Sequence, residues 1–256
     1  MSGNTDNTRL QAKLYIFAIS HYCEKARWAL NYLDINYQPV YLAPGLHLYS
    51  TKKFGVKSTS LPILQHAGDT IQGSADIIDW AERNTDSNKN LTPASEQLAC
   101  RDIEKRLDDV VGVHTRRMFY SEALVEHSAT VKPIFTKDLA SAQRLIINTI
   151  WPLVRKKMIS AMDLGAAQGK ASQAILEQEL DWLDQLLADG RPYLVADHFS
   201  RADLTAASLL ARLAGATQHP QAAHLILPPG IAATAQQWSE RPVMQWIREL
   251  YQKHRH

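Results

Sequence analysis

The order of strands and helices predicted for the first third of the chain limits its fold more than any other feature. Residues 13–19 (KLYIFAI) form a β-prone run, and residues 22–33 (YCEKARWALNYL) are rich in helix formers. The apolar side chains of the second segment recur at helical spacing, at Ala26, Ala29, Leu30 and Leu33. A second strand is predicted at residues 37–42 (YQPVYL). Strand–helix–strand units favour parallel pairing with a right-handed crossover, which predicts a small α/β unit here.

A hairpin and a further helix complete this unit. Residues 62–65 and 70–72 are short β-prone runs on either side of the turn sequence Ala67-Gly68-Asp69, which predicts two antiparallel strands. Ser74 is predicted to be the N-cap of a helix that runs through Ala81. Residues 43–60 carry no clear pattern. The predicted order is therefore βαβ followed by ββα.

The chain divides at a polar, proline-containing stretch. We expect residues 1–12 to be a flexible tail, 13–84 to form the α/β domain, 85–94 to be a linker and 95–256 to form an all-α domain. Two patterns indicate helices in the last part of the chain. One is a leucine stripe at Leu176, Leu180, Leu183 and Leu187. The other is the capping-box spacing from Ser200 to Asp203, which predicts a helix over residues 201–213.

Charge and cysteine content exclude several classes of partner. Lys and Arg number 28 against 26 Asp and Glu, and a net charge of +2 gives no field that would hold a nucleic acid or an anionic membrane. Two cysteines make no disulfide framework, and neither a signal peptide nor a long apolar run is evident, so we expect a cytoplasmic protein. The ten histidines fall into no metal-binding motif, so no metal is expected.

The segment between the first predicted strand and helix is the first candidate site. Ser20 precedes the helix, where free backbone N–H groups and the helix dipole favour an anion. Cys23 follows in the first helical turn, a position at which the pKa of a thiol can be lowered. Either a hydroxyl that stabilises an external thiolate or a cysteine that reacts itself is compatible with this pattern.

Four segments, in this order and spacing, resemble the cytosolic glutathione transferase family. They are residues 20–30 (SHYCEKARWAL), Ser60-Leu61-Pro62, residues 73–82 (GSADIIDWAE) and residues 199–204 (FSRADL). The resemblance covers residues 13–250 and implies a thioredoxin-like N-terminal domain followed by an all-α C-terminal domain. It also implies a homodimer that uses glutathione as co-substrate and conjugates it to small hydrophobic electrophiles in detoxification.

The resemblance also implies roles for particular residues. Ser20 would donate a hydrogen bond to the glutathione sulfur, and Leu61, before a cis Pro62, would pair with the peptide backbone of glutathione. Ser74 would bind the γ-glutamyl carboxylate at a helix N-terminus. Gly73 departs from the family, which usually has Glu or Gln before this serine.

Two alternatives and one further site stay open at this stage. Cys23 could make the protein a glutathione-dependent thiol reductase, and Gly73 favours a non-catalytic binding module on the same fold. The second substrate is expected near Arg116, Phe119 and Tyr120, within the cationic and aromatic run of residues 116–120. The helical domain is longer than the family commonly needs around residues 120–170, which predicts an altered or covered pocket.

Overall fold

The N-terminal third is built on a mixed four-stranded sheet. The computed structural model describes residues 11–195, 197–224 and 226–255. Its first seven elements are β1 (Ala12–Ile16), α1 (His21–Tyr32), β2 (Tyr37–Tyr41), α2 (His47–Phe54), β3 (Ile63–His66), β4 (Asp69–Gln72) and α3 (Ser74–Asn84). The strand order is β2-β1-β3-β4, with β1 parallel to β2 and antiparallel to β3. The βαβ-then-ββα prediction is confirmed.

The remaining two thirds of the chain form a helical domain. A short 3₁₀ turn (Ala94–Glu96) leads into the helical elements, and a π-helical turn (Leu107–Gly112) joins the first two of them. They are α4 (Gln97–Arg106), α5 (Val113–Ala123), α6 (Ser128–Thr136), α7 (Ser141–Ala161), α8 (Ala166–Leu187), α9 (Arg201–Ala214), α10 (Pro229–Trp238) and α11 (Pro242–His254). This architecture, a thioredoxin-like sheet domain followed by an all-α domain, is the predicted fold class.

Several predicted boundaries need correction. Strand β1 begins at Ala12, inside the predicted tail of residues 1–12, whose first ten residues lie outside the described part of the chain. It ends at Ile16, three residues early, because the chain turns there and the Ser20 N–H donates to the Phe17 carbonyl at 3.1 Å. Residues 43–60, which carried no clear pattern, contain α2.

The predicted N-cap at Ser74 is wrong by one residue. The cap of α3 is Gly73, and Ser74 is the first helical residue. Gly73 has φ +104°, a backbone conformation that side chains with a Cβ rarely adopt. Its N–H donates to the Pro62 carbonyl at 3.0 Å, which ties the start of α3 to the edge of β3.

The predicted signals in the helical domain are confirmed. All four leucines of the stripe are buried on α8. At the start of α9, the Asp203 carboxylate accepts a hydrogen bond from the Ser200 N–H at 2.8 Å, and the Ser200 side chain accepts one from the Asp203 N–H, which forms the capping box; the carboxylate also accepts from the Leu194 N–H at 2.7 Å. Burial raises the pKa of Asp203 to about 6, while these hydrogen bonds favour its charged form. The capping box fixes the start of the helix that packs against α1.

Buried aromatic and charged side chains join the two domains. Trp28 on α1 is 1% exposed, lies 4.3 Å from Tyr251 between ring centres and donates its indole N–H to the His254 carbonyl at 3.0 Å. Lys25, also on α1, is fully buried and pairs with Glu104 of α4 at 2.8 Å. Because burial of a charge is costly unless it is paired, these contacts require the two domains to pack in one arrangement.

Candidate active site

A cavity of about 830 Å³ lies where the end of β1 meets the helical domain. Ser20 and Leu61 line it from the α/β side, and Arg116, Phe119 and Tyr120 line it from α5. The structure therefore brings together two residues predicted for the glutathione side and all three residues predicted for the second-substrate pocket.

The remaining walls come from several parts of the chain. The segment before and within α2, the segment before β3, and helices α6, α7 and α9 all contribute side chains. The principal ones are Phe17, His21, Leu46, His47, Ser58, Thr59, Ser60, Phe135, Ile150, Leu153, Val154, Lys157, Met158, Met162, Arg212 and Leu213. Most of them are apolar, so the cavity suits a ligand with a substantial hydrophobic body.

Ser20 is held at the N-terminus of α1 by its own capping bond. Its Oγ accepts a hydrogen bond from the Cys23 N–H at 3.3 Å, and its backbone is extended, as is usual for an N-cap. The side chain is half-buried and borders the cavity. A hydroxyl carries one proton in addition to its acceptor lone pairs, so Ser20 can accept from Cys23 and still donate to an anion. The positive end of the α1 dipole favours negative charge at the same place.

Leu61 lines the cavity beside a cis peptide bond. The Leu61–Pro62 peptide bond is cis, and within the described residues neither the N–H nor the C=O of Leu61 takes part in a hydrogen bond. The neighbouring segment is held by Gln72, whose side-chain amide donates to the carbonyls of Ser58 and Ser60, both at 2.9 Å. The Leu61 backbone can therefore pair with an extended peptide.

Three residues predicted for glutathione binding do not contribute to the cavity wall. Pro62, Gly73 and Ser74 are not among the residues that line the cavity. Ser74 is 6% exposed, and the Pro62 carbonyl is already taken by the Gly73 N–H. The cavity edge on this side is formed by residues 58–61 instead.

Cys23 is buried behind Ser20. Its side chain is 1% exposed and does not line the cavity. Burial raises the pKa of its thiol to about 11. A thiol that is protonated at neutral pH and shielded from the cavity is a poor nucleophile.

The predicted cluster on α5 separates into two groups. Arg116, Phe119 and Tyr120 share one helical face, because they are spaced by three and four residues, and this face borders the cavity. Arg117 points elsewhere and pairs with Asp163. Burial raises the pKa of Tyr120 to about 12, so its hydroxyl keeps its proton at neutral pH.

Two contributions to the cavity were missed by sequence reasoning. Arg212 lies in α9, a helix whose other residues near it are buried and mostly apolar, and its guanidinium donates to the Ile19 carbonyl beside Ser20. A basic residue inside such an apolar helix is the signal that could have identified it. Helix α7 covers one side of the cavity, as the extra length of the helical domain indicated, although no individual residue there was predicted.

Comparisons with known proteins agree with the two-domain architecture. A thioredoxin-like sheet domain followed by a helical domain, with a cavity between them, is the arrangement of a glutathione-using transferase. Residues 14–89 match the family model described as "Glutathione S-transferase, N-terminal domain", and residues 166–247 match "Glutathione S-transferase, C-terminal domain". The chain belongs to the glutathione S-transferase family. A search of curated protein sequences found no significant match.

Solved structures of the same fold include three bacterial proteins. The β-etherase LigF from Sphingobium sp. strain SYK-6 is 18% identical, with a TM-score of 0.58 over 94% of this chain and 99% of that one. A glutathione S-transferase from Methylobacillus flagellatus, solved with glutathione bound, is 17% identical with a TM-score of 0.55, over 93% and 98% of the two chains. One from Methylobacterium radiotolerans, in complex with glutathione sulfonate, is 20% identical with a TM-score of 0.55, over 92% and 93%.

Two kinds of feature are absent from the described residues. None of the helices within them is both long and apolar enough to cross a membrane. Nor does this part of the chain contain a group of three or more His, Cys, Asp or Glu side chains placed to hold a metal ion.

Proposed function

We propose that the protein is a glutathione transferase in which Ser20 stabilises the glutathione thiolate for attack on a small hydrophobic electrophile. The observation that carries this proposal is the placement of Ser20, at the N-terminus of α1 and on the wall of a large, mainly apolar cavity. The hydroxyl and the helix N-terminus both favour a sulfur anion there. Cytoplasmic location and a homodimer, both implied by the family, are part of the proposal.

The reaction needs only glutathione and the electrophile. The thiol of glutathione releases its proton to solvent, and the thiolate forms a bond to an electrophilic carbon. In a substitution, the leaving group departs with the electron pair of the broken bond. In an addition, the electron pair of the activated double bond takes up a proton from water. No residue of the protein is covalently modified in either case.

The wall formed by Leu61 supports the placement of glutathione. Its free N–H and C=O can pair with the extended peptide of glutathione, which would bring the cysteinyl sulfur towards Ser20. Solved relatives of the same fold contain glutathione or glutathione sulfonate. We propose that Ser74 and the start of α3 contribute to the γ-glutamyl site once glutathione is bound.

A non-catalytic binding module is the second candidate. Gly73 and the absence of Ser74 from the cavity wall favour it, since both weaken the expected γ-glutamyl site. Calorimetry with glutathione and a conjugation assay with chlorodinitrobenzene separate the two. We expect binding and glutathione-dependent formation of the conjugate. Absence of heat at millimolar glutathione together with absence of conjugate would contradict the transferase proposal.

Replacement of Cys23 by alanine tests the reductase alternative. Because the thiol is buried and its pKa is raised to about 11, we expect Cys23→Ala to change kcat/KM for conjugation by less than about twofold. The assay should be run beside a glutathione-dependent disulfide reduction assay. Disulfide reduction by the wild type that disappears in Cys23→Ala would favour the reductase instead.

A further inference from the structure

The charges on the cavity wall are all of one sign. Arg116, Lys157 and Arg212 line the cavity, whereas none of the described residues that line it is an aspartate or a glutamate. The rest of the wall is mainly apolar, so this positive charge is poorly screened. A ligand that combines an apolar body with a negative group would complement both properties.

Arg116 is a cation without a protein partner. It is half-buried, and within the described residues its guanidinium makes no hydrogen bond and no ion pair. Its position on α5 places it one turn before Phe119 and Tyr120, on the face that borders the cavity. An arginine with five free donors beside two aromatic rings can take a planar carboxylate in two parallel hydrogen bonds.

Arg212 approaches the same place from α9. One of its terminal nitrogens donates to the Ile19 carbonyl, and its Nε is buried with no hydrogen-bond partner in the described chain. Its guanidinium lies 5.9 Å from the centre of the Phe119 ring. Glu24 is the acid that attracts it, but Glu24 is ion-paired with Arg255 at 2.8 Å. Arg212 therefore carries a buried charge that the protein only partly neutralises.

Arg116 and Arg212 converge on common neighbours. Both lower the pKa of His21, and both oppose the rise that burial causes in the pKa of Tyr120. Since these Coulombic effects fall off with distance, the two guanidinium groups lie near the same pair of side chains. Tyr120 also lines the cavity, and its hydroxyl keeps its proton, so it can add a hydrogen-bond donor there.

We propose that the electrophilic substrate is an amphipathic organic anion, with its carboxylate held between Arg116 and Arg212 and its apolar body packed against α5 and α7. This inference rests on the proposed function, because it identifies the class of molecule that the glutathione thiolate attacks. Lys157 of α7, which is exposed at the cavity, adds attraction for the anion as it enters.

A pair of electrophiles that differ only in charge tests the proposal. A chlorodinitrobenzoate and its methyl ester both react by attack of the thiolate on the carbon that carries chlorine; the C–S bond forms and chloride leaves with the bonding electrons. We expect Arg116→Met to lower kcat/KM for the benzoate by about ten- to hundredfold and for the ester by less than about twofold. Comparing each variant with the wild type on the same compound cancels the difference in intrinsic reactivity.

Matched variants separate charge from folding. Arg83→Met removes an exposed arginine on α3, away from the cavity, and should leave both rates unchanged. Arg116→Lys keeps the charge but not the paired donors, and should lose less than Arg116→Met on the benzoate. Circular dichroism melting curves should agree between Arg116→Met and the wild type, because within the described residues Arg116 makes no hydrogen bond or ion pair and methionine keeps much of its apolar stem.

The possible results distinguish this inference from the proposed function. Equal losses for the benzoate and the ester in Arg116→Met would overturn the inference, because they would place Arg116 on glutathione instead of the second substrate. No loss for either compound would also overturn it. A wild-type protein that conjugates neither compound would overturn the proposed function, and this inference with it.

Discussion

Ser20→Ala is expected to lower kcat/KM for conjugation by about ten- to hundredfold, while glutathione still binds. A hydrogen bond to a charged group contributes about 1.5–3 kcal/mol, and in this reaction the charged group is the thiolate that attacks. Without the hydroxyl, the pKa of the bound thiol should rise by one to two pH units towards the ~8.5 of a free cysteine thiol. The pH profile of kcat/KM and the ultraviolet absorbance of the thiolate both measure this change.

The capping role of Ser20 requires a second variant. Because the Ser20 Oγ accepts from the Cys23 N–H, alanine also removes an N-cap and costs about 0.5–2 kcal/mol of stability. Glycine at an N-cap costs only a few tenths of a kcal/mol, so Ser20→Gly removes the hydroxyl with little loss of capping. If the hydroxyl acts on the thiolate, both variants should lose the same activity.

Two results would contradict the role assigned to Ser20. One is a Ser20→Gly variant with wild-type kcat/KM, since the loss in Ser20→Ala would then come from the helix end. The other is an unchanged pH profile in both variants, which would show that another group sets the pKa of the bound thiol. Ser20→Thr keeps a hydroxyl and should recover part of the activity.

The structural elements that could be predicted are those encoded by short sequence patterns. Strand β1, helix α1 and the position of Ser20 between them follow from a β-prone run, a helical period and a capping residue, all within about twenty residues. The capping box at Ser200 and Asp203 is equally local. These features predict Ser20 at a helix N-terminus. The cavity beside Ser20 depends instead on how the two domains pack.

The parts that were missed depend on exposure and on long-range contacts. Helix α2 buries only Thr51 among its eight residues, so it has no apolar stripe to reveal it. The N-cap of α3 is Gly73, which its backbone angle defines. Serine is a common capping residue, so the sequence pattern predicts Ser74 as the cap instead. Arg116 and Arg212 are distant in sequence, and only the tertiary fold brings them to the same cavity wall.

Glu104 joins the two domains by pairing with two buried cations. Its carboxylate lies 2.8 Å from the Lys25 Nζ and 2.6 Å from the Arg201 Nε, and both cationic side chains are fully buried. Lys25 belongs to the sheet domain and Arg201 to the helical domain. Lys25 also pairs with Asp108 at 2.6 Å, and Arg201 also pairs with Asp79 at 2.5 Å and with Glu82 at 3.9 Å. Glu104 is therefore the shared member of a charge network across the interface.

Glu104→Gln should lower the free energy of unfolding by about 1.5–3 kcal/mol, measured by urea denaturation. The amide keeps one acceptor oxygen but turns a donor towards a buried cation, so one of the two cations loses one of its carboxylate partners. The matched control is Glu177→Gln on the exposed face of α8, where we expect a change within about 0.5 kcal/mol. Equal stability of the two variants would contradict the role of Glu104.

Loss of this network should also change how the two domains unfold. In the wild type, the shared carboxylate and the packing of Trp28 against Tyr251 couple the sheet domain to the helical domain. Weakening that coupling should broaden the urea transition of Glu104→Gln or divide it into two. Glu104→Asp keeps the charge on a shorter side chain that cannot reach both cations, so its loss should lie between those of the wild type and Glu104→Gln. A Glu104→Asp variant less stable than Glu104→Gln would mean that side-chain length, and not charge, holds the interface.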